Sequence, residues 1–99
     1  MDFNNSVLAI CKKIPKGKVS TYKLIAKKIN SPNAARAVGN ALNKNKFLVK
    51  IPCHRVVLSS GFVGGYAKGA KEKIKLLEKE GVFVLPKGKI NLDKYLYKF

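Results

Sequence analysis

Cys53 stands between Pro52 and His54 in the run Ile51-Pro52-Cys53-His54-Arg55-Val56. A thiolate is a strong nucleophile, and a neighbouring base or cation is what generates one. Pro52 fixes its own φ and restricts Ile51, so the sulfur rides on a stiff stretch of backbone. His54 supplies a base. Arg55 and the basic chain around it lead to the expectation that the sulfur is held as thiolate rather than thiol. Neighbouring side chains diverge in an extended chain, so adjacency alone does not pair Cys53 with His54. The second cysteine, Cys11, shares an apolar stripe with Val7, Ile10 and Ile14 and reads as a small buried hydrophobe. One histidine and two widely separated cysteines offer no metal-ligand spacing, so neither a metal nor a cofactor is expected.

The charge balance narrows what such a nucleophile would meet. Lys and Arg number 21 against 5 Asp and Glu, a net charge of +16 over 99 residues. A charge of that size opposes compaction and calls for a polyanion, DNA or RNA first. A lysine-rich surface kept for solubility or heat tolerance is the blander alternative, but +16 exceeds what solubility needs. No helix carries a long basic amphipathic face suited to a membrane surface. The longest aliphatic and aromatic run, Val82 to Leu85, is far too short to span one. The first residues lack a signal-peptide pattern, so a cytoplasmic place of work, or a nuclear one, is expected.

The elements that must position Cys53 can be read from periodicity. Apolar residues at 7, 10, 11 and 14 predict a helix over 5–14, ended by Pro15-Lys16-Gly17. Ser20 or Thr21 caps a second helix running to about Ile29. Asn30-Ser31-Pro32-Asn33 is a turn. A third helix runs from about Ala34 to Lys44 and buries Ala34, Ala37, Val38, Ala41 and Leu42. Its other face carries Ala35, Arg36, Gly39, Asn40 and Asn43, small enough for another surface to approach the backbone. Two helices joined by such a turn read as helix-turn-helix. Val56-Val57-Leu58 and Phe62-Val63 predict a hairpin around Ser59-Ser60-Gly61. A helix over 70–80 with Ile74 and Leu77 inward stops at Gly81. Residues 82–91 predict a second small hairpin around Pro86-Lys87-Gly88, and 92–99 a helical turn packing Tyr95, Leu96 and Phe99. The fold class expected is mainly α with small β-hairpins, winged-helix-like, in one domain over 1–99 and acting as a monomer.

Several runs, in order, carry a more specific resemblance. They are Val19-Ser20-Thr21-Tyr22, Ala34-Ala35-Arg36-Ala37-Val38-Gly39, Asn45, Ile51 to Val57, Gly64-Gly65-Tyr66 and Leu76 to Gly81. With these the chain resembles the active-site domain of the O6-alkylguanine-DNA alkyltransferases over about residues 3–81, with 82–99 an extension. The resemblance implies that Cys53 takes the alkyl group from a damaged guanine in duplex DNA, irreversibly. It implies His54 as the base, Glu80 as the carboxylate that orients the imidazole, and Tyr22 as proton donor to the leaving guanine. Asn45 corresponds to a hinge residue between recognition helix and cysteine segment. Arg36 corresponds to the arginine that fills the space of the flipped-out base, with Ala35, Gly39, Asn40 and Thr21 also at the DNA. Tyr66, the Ala67 backbone N–H, Gly65, Val56 and Lys73 correspond to the base pocket. Base flipping is required because chemistry on the base cannot reach it inside the stack.

The chain also departs from the family pattern. Lys46 follows Asn45 where proline is usual, and Leu8 stands where tryptophan is common. The usual preceding domain has no counterpart before the first helix. Three readings remain open on residues alone: a single-turnover alkyltransferase, an alkyltransferase-like protein that binds the lesion and recruits other repair, and a winged-helix regulator. Cys53 favours the first, since the second group characteristically lacks the reactive cysteine.

Overall fold

The computed structural model describes residues 2–99, and its elements follow the expected order. Helix α1 covers Phe3–Cys11 and starts where the Asp2 side chain accepts the Asn5 N–H at 2.8 Å. It is earlier than the expected 5–14, because this cap lies upstream of the apolar stripe while Lys12 to Ile14 unwinds into a turn. Strand β1, Ser20–Thr21, leads straight into α2, Tyr22–Lys28. Thr21 Oγ1 accepts the Leu24 N–H at 3.0 Å and so caps α2, as its sequence position suggests. Asn30, at φ 62°, turns the chain toward α3, Ala35–Asn43.

The middle of the chain corrects the hairpin expectation. Strand β2, Val56–Val57, pairs in parallel with β1, Ser20 against Val56 and Thr21 against Val57. A parallel pair needs a long crossover, and α2, α3 and the cysteine segment supply it. Both valines are fully buried, which suits a central strand and not one arm of an exposed hairpin. The turn at Ser59-Ser60-Gly61 persists, closed by Leu58 N–H donating to the Phe62 carbonyl at 2.9 Å. Its far arm pairs instead with the second hairpin: Val63 N–H donates to Gly88 O, and Ile90 N–H to Gly61 O.

Helix α4, Ala70–Lys79, ends in a Schellman arrangement. Gly81 at φ 92° lets its N–H reach Glu78 O while Val82 N–H reaches Leu77 O, both at 3.0 Å. The short helix α5, Leu92–Tyr95, ends in a tail that zips onto the edge before β1. Val19 N–H donates to Tyr95 O at 2.9 Å, and Tyr97 N–H to Val19 O at 2.7 Å.

The strand pair divides the interior. One cluster holds Val7, Cys11, Ile14, Ile25, Ala26, Val38, Ala41, Leu42, Cys53 and Val56; the other gathers Val19, Val57, Val63, Leu77, Val82, Val84, Ile90 and Tyr95. Val56 and Val57 fall in different clusters because successive side chains on a strand point to opposite faces. Ala37, expected inside, is exposed, while Val38, Ala41 and Leu42 carry the buried stripe of α3. Its small side chain costs little in water. Among the described residues no helix is long and apolar enough to cross a membrane.

Candidate functional site

Pro52 leads the chain into one 3₁₀ turn, Cys53-His54-Arg55, so three reactive side chains fan out from a single tight bend. Asn45 holds the approach to it. Its Nδ2 donates to Ile51 O at 2.9 Å, and its Oδ1 accepts the Phe47 N–H at 2.9 Å. The end of α3 is thereby tied to the residue two places before the cysteine, the hinge position expected for Asn45. These bonds use only the Asn45 side chain, the Ile51 carbonyl and the Phe47 N–H, so Lys46 does not interrupt them.

His54 is fully buried, and its Nε2 lies 3.0 Å from Glu80 Oε1. An ionised carboxylate can only accept, so the neutral imidazole carries its proton on Nε2 and its lone pair on Nδ1. Nδ1 is buried with no hydrogen-bond partner among the described residues. The Tyr66 ring meets the imidazole edge-on at 6.5 Å between centroids. Burial lowers the imidazole pKa, with Glu80 opposing and Arg55 and Lys73 assisting, so His54 is a neutral base at pH 7.

Glu80 caps the C-terminus of α4, with its side chain only 11% exposed. That excludes the free carboxylate such a position often carries. The reason is Arg55: Nε donates to Glu80 Oε1 at 2.9 Å, Nη2 to Oε2 at 2.6 Å, and Nη1 to Ile14 O at 2.8 Å. Burial raises the Glu80 pKa, but the bonds from Arg55 and His54 outweigh it and the net shift is downward. The sequence reading used Arg55 only as a source of positive charge. With so few carboxylates in the chain, a partly buried arginine next to the histidine could have been matched to Glu80.

The expectation of a resting thiolate is corrected. Cys53 is 6% exposed, and burial pushes its thiol above the ordinary value, while the Asn45 hydrogen bond and the Lys73 charge pull the other way without prevailing. The resting sulfur is a thiol and needs a base. Cys11 is fully buried and is pushed up to about 12, chiefly by burial, as an inert core cysteine should be.

Lys73 is fully buried, not part of a solvated helix face. Its Nζ donates to Gly65 O at 3.0 Å, to Val63 O, and to Tyr22 Oη at 3.4 Å. Burial brings its pKa down to about 8. The signal was present in the sequence: Lys73, Leu77 and Glu80 are spaced i, i+4, i+7 and share one helix face.

An open cleft of about 330 Å³ is lined by Tyr22, Ala35, Arg36, Gly39, Asn43, Leu58 and Gly65. Five of the expected positions, Tyr22, Ala35, Arg36, Gly39 and Gly65, thus meet at one surface. A Cβ on Gly39 would sit 3.8 Å from the Tyr22 ring, so this glycine keeps the ring and α3 close. Burial raises the Tyr22 phenol pKa to about 12, so it is a protonated donor at neutral pH. Leu58 and Asn43 were not foreseen in this role. Other expected pocket residues stand apart from the lining. Val56 is buried in the first core cluster, Cys53 packs there too, Tyr66 packs against that cluster, and Ala67 is exposed on the loop. Asn40 is exposed on α3 outside the cleft, and Thr21 is 3% exposed with its hydroxyl engaged as a cap. Among the described residues no group of three or more His, Cys, Asp or Glu could hold a metal ion.

A helix-turn-helix whose small-faced second helix borders a cleft, in a chain whose cysteine turn also carries a buried histidine paired with a carboxylate, defines a DNA-binding domain of the alkyltransferase type. The chain belongs to the family described as 6-O-methylguanine DNA methyltransferase, DNA binding domain, which matches residues 2–82. The methylated-DNA–protein-cysteine methyltransferase of Saccharolobus solfataricus is 52% identical over 80 residues, 81% of this chain and 51% of that one. The Candida glabrata protein of the same name is 46% identical over 92 residues, 86% of this chain and 44% of that one. The chain therefore spans about half the length of the curated relatives it matches. Among solved structures, Mycobacterium tuberculosis OGT in complex with DNA superposes with a TM-score of 0.78 at 42% identity, covering 81% of this chain and 50% of that one. A Schizosaccharomyces pombe (S. pombe) ATL in complex with DNA gives a TM-score of 0.85 at 34% identity, with 98% and 95% covered.

Proposed function

We propose that this protein repairs DNA directly, moving the alkyl group of an O6-alkylguanine onto Cys53. The observation that carries the reading is the buried His54, paired with Glu80 in the same turn that carries Cys53, in a chain whose cleft is bordered by Tyr22 and the small face of α3. The names of the relatives, and the DNA in two of the similar structures, point the same way. The chain would act as a single domain and a monomer, wherever DNA is exposed in the cell, cytoplasm or nucleus.

The chemistry follows from the protonation states. Because the thiol is buried and protonated, its proton must leave as the sulfur attacks. His54 Nδ1 holds the free lone pair and takes that proton through a water, and Glu80 stabilises the imidazolium formed. The S–C bond forms as the C–O6 bond breaks, and the electron pair of that bond goes to the guanine. Tyr22 Oη gives its proton to a ring nitrogen, so the base leaves neutral. The phenolate is reprotonated from the neighbouring Lys73 or from solvent. The thioether left on Cys53 has no route back, so each molecule acts once. Arg36 at the cleft edge occupies the stack position vacated by the flipped guanine. Ala35 and Gly39 let α3 enter the narrow minor groove.

Intact mass tests this. After incubation with a duplex holding one O6-methylguanine, the protein should gain a single CH₂ on Cys53, and Cys53→Ser should gain nothing. A second reading, a protein that binds the lesion without transfer, is favoured by two observations: the S. pombe ATL is matched over 95% of its length, and Cys53 is nearly enclosed. It predicts tight, lesion-selective binding with unchanged mass. Indifference to the lesion would sink both.

A further inference from the structure

Arg55 has no role in the chemistry above, yet it is the most heavily engaged side chain of the cysteine turn. Its three donors tie the turn to two distant parts of the chain at once: the C-terminal cap of α4 through both oxygens of Glu80, and the exit of α1 through Ile14 O. We propose that Arg55 is a positioning residue, whose fork fixes Glu80 so that it claims only the Nε2 proton of His54 and leaves Nδ1 as the lone-pair nitrogen. The inference rests on the alkyl-transfer reading for its meaning in catalysis.

The physical argument concerns one shared oxygen. Glu80 Oε1 accepts from both His54 Nε2 and Arg55 Nε. A carboxylate facing His54 alone in a dry site would draw a second proton onto the ring, because an imidazolium pairs with it far better than an imidazole does. A ring already protonated cannot serve as base. The guanidinium compensates the carboxylate charge and repels a second positive charge nearby. Its planar fork matches both carboxylate oxygens, a geometry lysine cannot reproduce.

The charged and titratable groups around the ring act together. Glu80, at the end of α4, favours the imidazolium; Arg55, in the same turn, and Lys73, on α4, oppose it. Cys53 precedes His54 in the turn, and the Tyr66 ring approaches from the loop before α4. Among the contacts that hold the Glu80 pKa down, the Arg55 hydrogen bonds come first, followed by the charge and hydrogen bond of His54.

The chain contains one histidine, so its imidazole resonances report on His54 without ambiguity. NMR titration of the DNA-free protein is therefore the test, and it requires no enzymatic activity. In Arg55→Gln the imidazole should titrate at higher pH than in the wild type. In Arg55→Lys, which keeps the charge and loses the fork, it should shift the same way by less. If the glutamine variant does not fold, the lysine variant decides. A wild-type midpoint in a folded variant overturns the proposal. The acid limb of the alkyl-transfer rate should move upward in step with the imidazole, whereas a purely structural role would depress the rate at every pH without moving the limb. A wild-type protein that transfers no alkyl group would remove the functional reading and leave the titration to judge Arg55 alone.

Discussion

Lys73 illustrates how a single side chain can cost stability for the sake of a site. Its ammonium is fully buried among two carbonyls and the Tyr22 hydroxyl, and burial lowers its pKa to about 8. Lysine is ordinarily near 10.4 when unfolded, so between those values the folded protein binds fewer protons than the unfolded chain. Stability must then rise with pH across that window, and the cost is fully present below it. The gain is on the order of 3 kcal/mol at one unit of 1.36 kcal/mol per pKa unit. Urea unfolding of the wild type and of Lys73→Met at about pH 7.5 and pH 10.5 should show the wild type gaining on the variant. Parallel behaviour would mean that the ammonium is hydrated in the folded protein and titrates as it does in the unfolded chain. The same burial explains why the 63–65 loop, rich in glycine, stays beside Tyr22: three of its neighbours share one donor group.

At the scale of elements, the arrangement of α2 and α3 decides what can enter the cleft. The Thr21 cap starts α2 so that Tyr22, the first helical residue, is aimed across at Gly39 on α3. Arg36, one turn before Gly39, stands exposed at the same cleft. Its removal should therefore weaken lesion engagement without unfolding the helix, since alanine is the better helix former. For Arg36→Ala, the alkyl-transfer rate on duplex should fall by more than the rate on free O6-methylguanine base, which needs no flipping. Equal losses on both substrates would assign Arg36 to the pocket and not to extrusion of the base. The Arg55 fork belongs to this scale too, because it joins the ends of α1 and α4 through the cysteine turn.

For the molecule as a whole, the excess of lysine and arginine sets the terms of encounter with DNA. On the proposed reading, a net charge of +16 on 99 residues would steer the chain toward any duplex, damaged or not. Each phosphate neutralised contributes a slope of about −0.9 to log K against log salt. Binding to undamaged duplex should thus weaken steeply between low and physiological salt, by fluorescence anisotropy. A flat dependence would assign the basic surface to another purpose. Lesion selectivity should change less with salt, because it arises in the cleft and at Cys53 and not from the phosphates.

Residue order alone determined the helix-turn-helix and the family, because those depend on local periodicity, on caps such as Thr21, and on motifs contiguous in the chain; that Cys53-His54-Arg55 forms a 3₁₀ turn and not an extended stretch came only with the structure. The Glu80-His54 pairing came from family resemblance, and no local rule would have placed a carboxylate 26 residues away. Tertiary structure decided what burial does: it made the Cys53 sulfur a thiol rather than a thiolate, and made Lys73 a buried donor to Gly65 O and the Tyr22 hydroxyl. It also paired Val56-Val57 with Ser20-Thr21 in parallel instead of with its own sequence neighbours. Protonation states and strand partners depend on which distant atoms exclude water and which supply hydrogen bonds. That information is distributed over the whole chain, so it becomes definite only once the chain has closed on itself.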